Sequence, residues 1–185
     1  MNKKHNHLEE GDIFSIRLSD TTRTIAQLCN IFTRGKTYAQ HTLAFFNYKF
    51  NSEAEITEKI NILDLRHPIS IATTNGHPIK AYGLKPIAKR EVHYENAPNF
   101  KDEIHPQSGL YQQKSTDFLI ILEPFFGIIP WDSYYKDDFI DEFLLDGVKK
   151  RDDITYMRDF TINELKSILP PDNFKLNQLL TNHKS

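Results

Sequence analysis

Between Trp131 and Glu142 the chain concentrates side chains suited to gripping another protein. Asp137, Asp138, Asp141 and Glu142 sit at i, i+1, i+4 and i+5, and Phe139, Ile140, Phe143 and Leu144 repeat that spacing two positions later. Two positions are a rotation of about 200° on an α-helix, so the spacing predicts a carboxylate face opposite an apolar one. Carboxylates at i, i+4 repel one another by a few tenths of a kcal/mol per pair, which a cationic partner would relieve. Trp131, Tyr134 and Tyr135 directly precede the run and are residue types that anchor interfaces, being large, rigid and tipped with a polar group. Trp131, Tyr134, Tyr135, Asp137, Asp138, Asp141 and Glu142 therefore form a candidate partner-binding set of aromatic anchors and acidic rim. The competing reading makes them the solvated face of a core helix, with the aromatics packed at its entrance.

Other chemistry-bearing residues fall into no recognised pattern. The eight histidines are scattered, with His5 and His7 in the polar opening and His67, His77, His93 and His105 in turn-rich segments. No HExxH, and no Cys/His set at ligand spacing, suggests a zinc site. Cys29, the single cysteine, lies within a strand-like run and reads as a small buried hydrophobe. P-loop, GxSxG and GxGxxG motifs are absent from the sequence. The expectation is a protein that is not an enzyme and needs no cofactor or metal. Arg34, Lys36 and Tyr38 could meet phosphate, but two positive charges are a small footprint for nucleic acid.

The elements that would position these residues are strands first and helices last. GDIFSIRL alternates Ile13, Ser15 and Arg17 against Phe14, Ile16 and Leu18, which predicts a strand with one wet face. RTIAQLCNIF should pair with it antiparallel, and TLAFFNYKF at 42–50 supplies a third strand. Ser52 and Glu55 make a capping box for a short helix with Ile56, Ile60 and Leu63 on one face. ISIATT and IKAYG read as strands about an Asn75-Gly76 turn, the second near an edge because of Pro78. Residues 85–116 read as a long irregular connection, with Tyr94 or Phe100 tucked in, and DFLIIL at 117–122 as a strand covered on both faces. Helices are predicted over 132–146 with Gly147 as C-cap, over 161–169 from a Thr161/Glu164 box to Pro170-Pro171, and over 172–182.

With 185 residues the chain is long enough for one domain burying roughly 70% of its extended surface. Lys and Arg number 23 against 25 Asp and Glu, for a net charge of −2, which points to neither nucleic acid nor membrane. The balance is uneven: seven acids and one base, Lys136, lie between Glu123 and Asp146. The lone cysteine fits a reducing compartment, the opening MNKKHNHLEEGD has no apolar signal core, and FLIILEPFFGIIPW is too short to span a bilayer. The expected location is cytoplasmic.

GDIFSIRL, TIAQLCNIF, LAFFNYKF and IKAYGLKPI together resemble the Imm26 family of bacterial immunity proteins. The matching positions are Gly11, Asp12, Ile13 and Phe14, then Ala44, Phe45 and Phe46, then Gly83 and Pro86, over about residues 10 to 100. The resemblance implies a protein of a polymorphic toxin system that neutralises a cognate toxin by stoichiometric contact, and it carries no catalytic residues. Many such toxins are basic nucleases, which an acidic surface would steer and hold.

The expected fold is α+β, with an antiparallel, partly barrel-like sheet from the N-terminal half and C-terminal helices packed on it. Residues 1–10 are expected to be disordered, 11–116 to form a β-rich immunity-like domain, and 117–185 to add a strand and helices to the same core. Two other functions remain open on sequence grounds. One is a small cytosolic hydrolase with its site between sheet and helices. The other is a nucleic-acid-binding SH3-like barrel, since Gly-Asp-Ile strands also open such barrels.

Overall fold

The structure, a computed structural model, describes residues 8–34, 38–74, 77–93 and 118–182. The basic loop at Lys36, the Asn75-Gly76 turn, Tyr94, Phe100, and histidines 5, 7 and 105 lie outside the described residues. Two compact units are present, one formed by Met1–Arg17 and Thr21–Asp117, the other by Leu18–Asp20 and Phe118–Ser185.

The first unit is built on five antiparallel strands: β1 (Asp12–Arg17), β2 (Arg23–Arg34), β3 (Tyr38–Phe45), β4 (Ser70–Thr74) and β5 (Pro86–Lys89), in the order β4-β3-β2-β1-β5. The α+β class holds. The sheet is open, however, and not barrel-like, because β4 and β5 are its two edges. Pro86, expected in a loop, lies on edge strand β5, where its missing N–H leaves no ladder bond broken in the sheet interior.

The wet face expected of β1 is reduced to its end: Asp12 to Ile16 are all buried and Arg17 is exposed. The alternation reports polarity, and here polarity is met by protein partners instead of water. Ser15 Oγ accepts from Arg23 Nη1 at 2.9 Å, the Asp12 carboxylate accepts from the Glu9 amide at 2.8 Å, and Gln27 Nε2 donates to the Arg90 and Glu91 carbonyls. Glu9 and Glu10, expected to be disordered, form the turn into β1. Gly11 occupies that turn with φ +95°, and a Cβ there would lie 2.5 Å from the Arg90 carbonyl oxygen. Cys29 is buried at an irregularity in the β2–β3 register.

Helix α1 (Glu53–Lys59) follows its capping signal: the Ser52 hydroxyl accepts from the Glu55 amide, and the Glu55 carboxylate accepts from the Asn51 amide. β3 ends at Phe45, earlier than the expected 50, and Phe50 returns to form a two-way backbone bridge with Arg23. HPIKA is helix α2 (His77–Ala81), not the expected strand. Pro78 is tolerated in its first turn, and Gly83, at φ +60°, ends it. The amides of Gly83 and Leu84 reach back to the carbonyls of Lys80 and Ile79, closing a Schellman motif.

In the second unit the apolar run at 117–122, expected as a strand, is helix α3 (Leu119–Phe125). An apolar run this short has no periodicity that separates the two states. Pro124 removes the amide that would bond the Ile120 carbonyl, and the Tyr134 hydroxyl donates to that carbonyl at 3.3 Å. Gly127 closes α3, its φ of +68° held where a Cβ would meet the Asp153 carbonyl at 2.5 Å.

Residues 132–146 do not form the expected α-helix. They run through tight turns, with i to i+3 bonds such as Asp141 N to Asp138 O and Phe143 N to Ile140 O, and one 3-10 turn at Asp141–Phe143. Gly147 is therefore a turn glycine and caps no helix. Helix α4 (Ile162–Ile168) starts on the Thr161/Glu164 box and stops before Pro170-Pro171, and α5 (Phe174–Asn182) follows. Leu165, Leu169 and Leu176 pack with Met157 beneath these two helices.

Candidate functional site

The turn-rich segment after α3 carries all seven expected binding residues and separates their roles. Trp131 is 0% exposed, its backbone amide donates to the Thr155 carbonyl at 2.7 Å, and Lys150 Nζ lies 4.5 Å above its ring. It is a core residue of its unit and presents nothing to a partner, contrary to its expected place among the anchors. Tyr134 is half-buried and engaged with the Ile120 carbonyl. Tyr135 is 59% exposed.

Tyr135 stands at the outer end of a ladder of rings. Its centroid is 4.9 Å from that of Phe139, Tyr134 is 5.1 Å from the same ring, and Phe139 meets buried Phe143 edge-on at 5.0 Å. Offset and edge contacts of this kind are each worth about 0.5–1.5 kcal/mol and restrict the rotamers of the rings involved. Lys136 Nζ sits 5.8 Å over the Tyr135 ring.

The carboxylates surround this ladder but do not form the uncompensated stripe expected from their spacing. Asp141 pairs with Lys150 at 2.7 Å, Glu142 with Lys136 at 3.2 Å, and Asp137 with Lys175. Its hydrogen bond to Glu142 holds the Lys136 ammonium above its ordinary pKa. Two of the three lysines lie outside the acid-rich segment, at 150 and 175, where a local count of charge misses them. Asp138 is exposed.

One contributor was missed in the sequence. Phe174, at the start of α5, is 58% exposed. Its neighbours tie it to the same turn: Asn173 Nδ2 donates to the Ser133 carbonyl at 3.0 Å, and Lys175 Nζ donates to the Asp132 carbonyl at 2.6 Å. The surface thus holds two exposed aromatic rings, Tyr135 and Phe174, on segments joined by hydrogen bonds, with Asp137 and Asp138 beside the first.

The sheet unit holds a contrasting feature. A cavity of about 380 Å³ is lined by Ser15, Arg17, Arg23, Glu53, Tyr82 and Lys85, among others. The hairpin register sets Arg17 directly opposite Arg23, so both guanidinium groups emerge on one face. Arg23 is 3.2 Å from the Glu53 carboxylate, while among the described residues Arg17 and Lys85 are paired with no carboxylate. Ser15 and Arg17 entered the sequence reading only as strand residues, and none of the six was read as a binding residue, because Arg17 and Arg23 meet only once the register is known. Among the described residues no three His, Cys, Asp or Glu side chains converge as a metal site, and no helix is long and apolar enough to cross a membrane.

Comparison of the chain with protein-family models, with curated proteins and with solved structures finds no match.

Proposed function

We propose that the chain is an immunity protein that neutralises a cognate bacterial toxin in the cytoplasm by stoichiometric protein–protein contact, without chemistry of its own. The Imm26 resemblance of Gly11–Phe14, Ala44–Phe46, Gly83 and Pro86 gives the proposal its class. The observation that carries it is Tyr135, an exposed ring braced by Phe139 and Phe143 and flanked by carboxylates. A braced aromatic loses little conformational freedom on binding, which is the physical requirement of an interface anchor. The exposed edge of the Asp137/Asp138 cluster then serves as a rim that steers a basic toxin, a nuclease among the candidates, into an interface of about 1,600 Å².

The test uses the genes that flank this one in its chromosome. Each is expressed alone and together with the chain in a sensitive host. One flanking product should arrest growth alone, be harmless beside the chain, and purify with it as a one-to-one complex. The double variant Tyr135→Ala/Asp138→Lys should fold normally and lose protection. Absence of any growth-arresting neighbour, or full protection by the folded double variant, would overturn the proposal.

A further inference from the structure

The Arg17/Arg23 pair is an arrangement that stability alone disfavours. Like charges directly opposite on adjacent strands repel, and this pair closes the β1–β2 hairpin, where opposite charges would hold the ends together. Lys85 adds a third cation to the same cavity and Glu53 supplies its one carboxylate, so the cavity carries a net charge of about +2 by side-chain count.

The rest of the lining is prepared to receive an anion. Ser15 is only 8% exposed, and its hydroxyl oxygen already accepts from Arg23, which leaves its own proton to donate. Guanidinium groups match the oxygens of a phosphate with parallel N–H donors, and a phosphate monoester, at about −1.5 to −2, balances the cavity better than a carboxylate. Tyr82 is 42% exposed on the wall, where its ring can cover a planar body, and Glu53 can accept from ligand hydroxyls. The volume of about 380 Å³ falls in the range of small-molecule sites.

We infer that this cavity binds the phosphate of a nucleoside monophosphate, with Arg17, Arg23, Lys85 and Ser15 on the phosphate and Tyr82 against the base. This site lies within the sheet unit and stands whether or not the toxin-binding proposal holds.

The experiment is calorimetric titration of the full chain, at low ionic strength, with adenosine monophosphate, adenosine, inorganic phosphate and a single-stranded oligonucleotide lacking terminal phosphates. The monophosphate should bind at least about tenfold tighter than each of the other three probes. Arg17→Ala and Lys85→Glu should each weaken it by about tenfold or more with circular dichroism unchanged. Tyr82→Ala should reduce the monophosphate to the affinity of inorganic phosphate. Equal binding of adenosine, undiminished binding by the folded Arg17→Ala and Lys85→Glu proteins, or tighter binding of the oligonucleotide would each overturn the inference.

Discussion

The acidic surface of the helical unit matches its carboxylates with lysines, whereas the basic cavity of the sheet unit sets two arginines opposite each other and holds three cations against one carboxylate. The segment from Glu123 to Asp146 has seven acids and one base, yet Lys150 and Lys175 reach Asp141 and Asp137 from elsewhere in the chain. The segment RLSDTTR carries two bases and one acid, and its register sets the two bases face to face. Charge counted along a chain is thus a poor guide to charge arranged in space. The acidic surface is largely neutralised by lysines around its exposed ring, and the basic cavity keeps an excess of cations although Glu53 pairs with Arg23.

The largest way to break this comparison lies within the aromatic surface. Trp131 and Tyr135 are four positions apart and share a residue class, but the fold divides them into core and surface. Trp131→Ala should cost about 3–5 kcal/mol, the range for truncating a buried aromatic side chain. Tyr135→Ala should cost about 0.5–1.5 kcal/mol, the loss of one ring contact. Urea unfolding followed by circular dichroism separates the two, and equal costs would mean that Tyr135 is a structural residue and not an anchor.

That division also marks what was legible in the sequence. The Ser52/Glu55 and Thr161/Glu164 boxes act over three residues, and both helices start where those residues lie. The β1–β2 hairpin was equally readable, since adjacent strands need only a short turn. IKAYG was expected as a strand because it follows an Asn75-Gly76 turn, but the proline start and glycine stop of the segment are helix signals, and they prevail. At 132–146 the helical spacing was present, but the carboxylates repel at i, i+4, and the turns bring them to lysines instead. Tyr135 was identifiable by type. The burial of Trp131 and the exposure of Phe174 follow from contacts distant in sequence, which no local pattern encodes, and the Arg17/Arg23 pairing follows from the hairpin register, which the strand pattern alone leaves open.

A smaller effect distinguishes the sheet unit by pH. His41, on β3, is half-buried, its Nδ1 has no hydrogen-bond partner among the described residues, and burial lowers its pKa below the ordinary 6.5. The unfolded chain therefore binds its proton more readily than the folded one. Stability conferred by a neutral His41 is complete above about pH 6.5 and is lost as pH falls from there through the lowered folded value. The urea midpoint should drop between about pH 7 and pH 5, and His41→Leu should flatten that part of the profile. An unchanged slope in the variant would exclude His41 as its source.

The smallest effect is the most pointed, because its sign differs between the two regions. Asp141→Asn removes one partner of a 2.7 Å surface pair with Lys150 and should lower stability by about 0.2–1 kcal/mol. Arg17→Ala removes one of two like charges facing each other across β1 and β2, and should raise stability by a few tenths of a kcal/mol. Both changes delete one charge, so a general effect of net charge would move a chain at −2 in opposite senses: Asp141→Asn would relieve excess negative charge, and Arg17→Ala would add to it. Paired against opposed charge predicts the reverse for each. Urea midpoints at low salt decide between the two accounts, and about 1 M salt, with a screening length near 3 Å, should shrink both differences toward zero. A loss of stability in Arg17→Ala at low salt would mean that the arginine is matched within the protein, and the contrast between the two regions would fall with it.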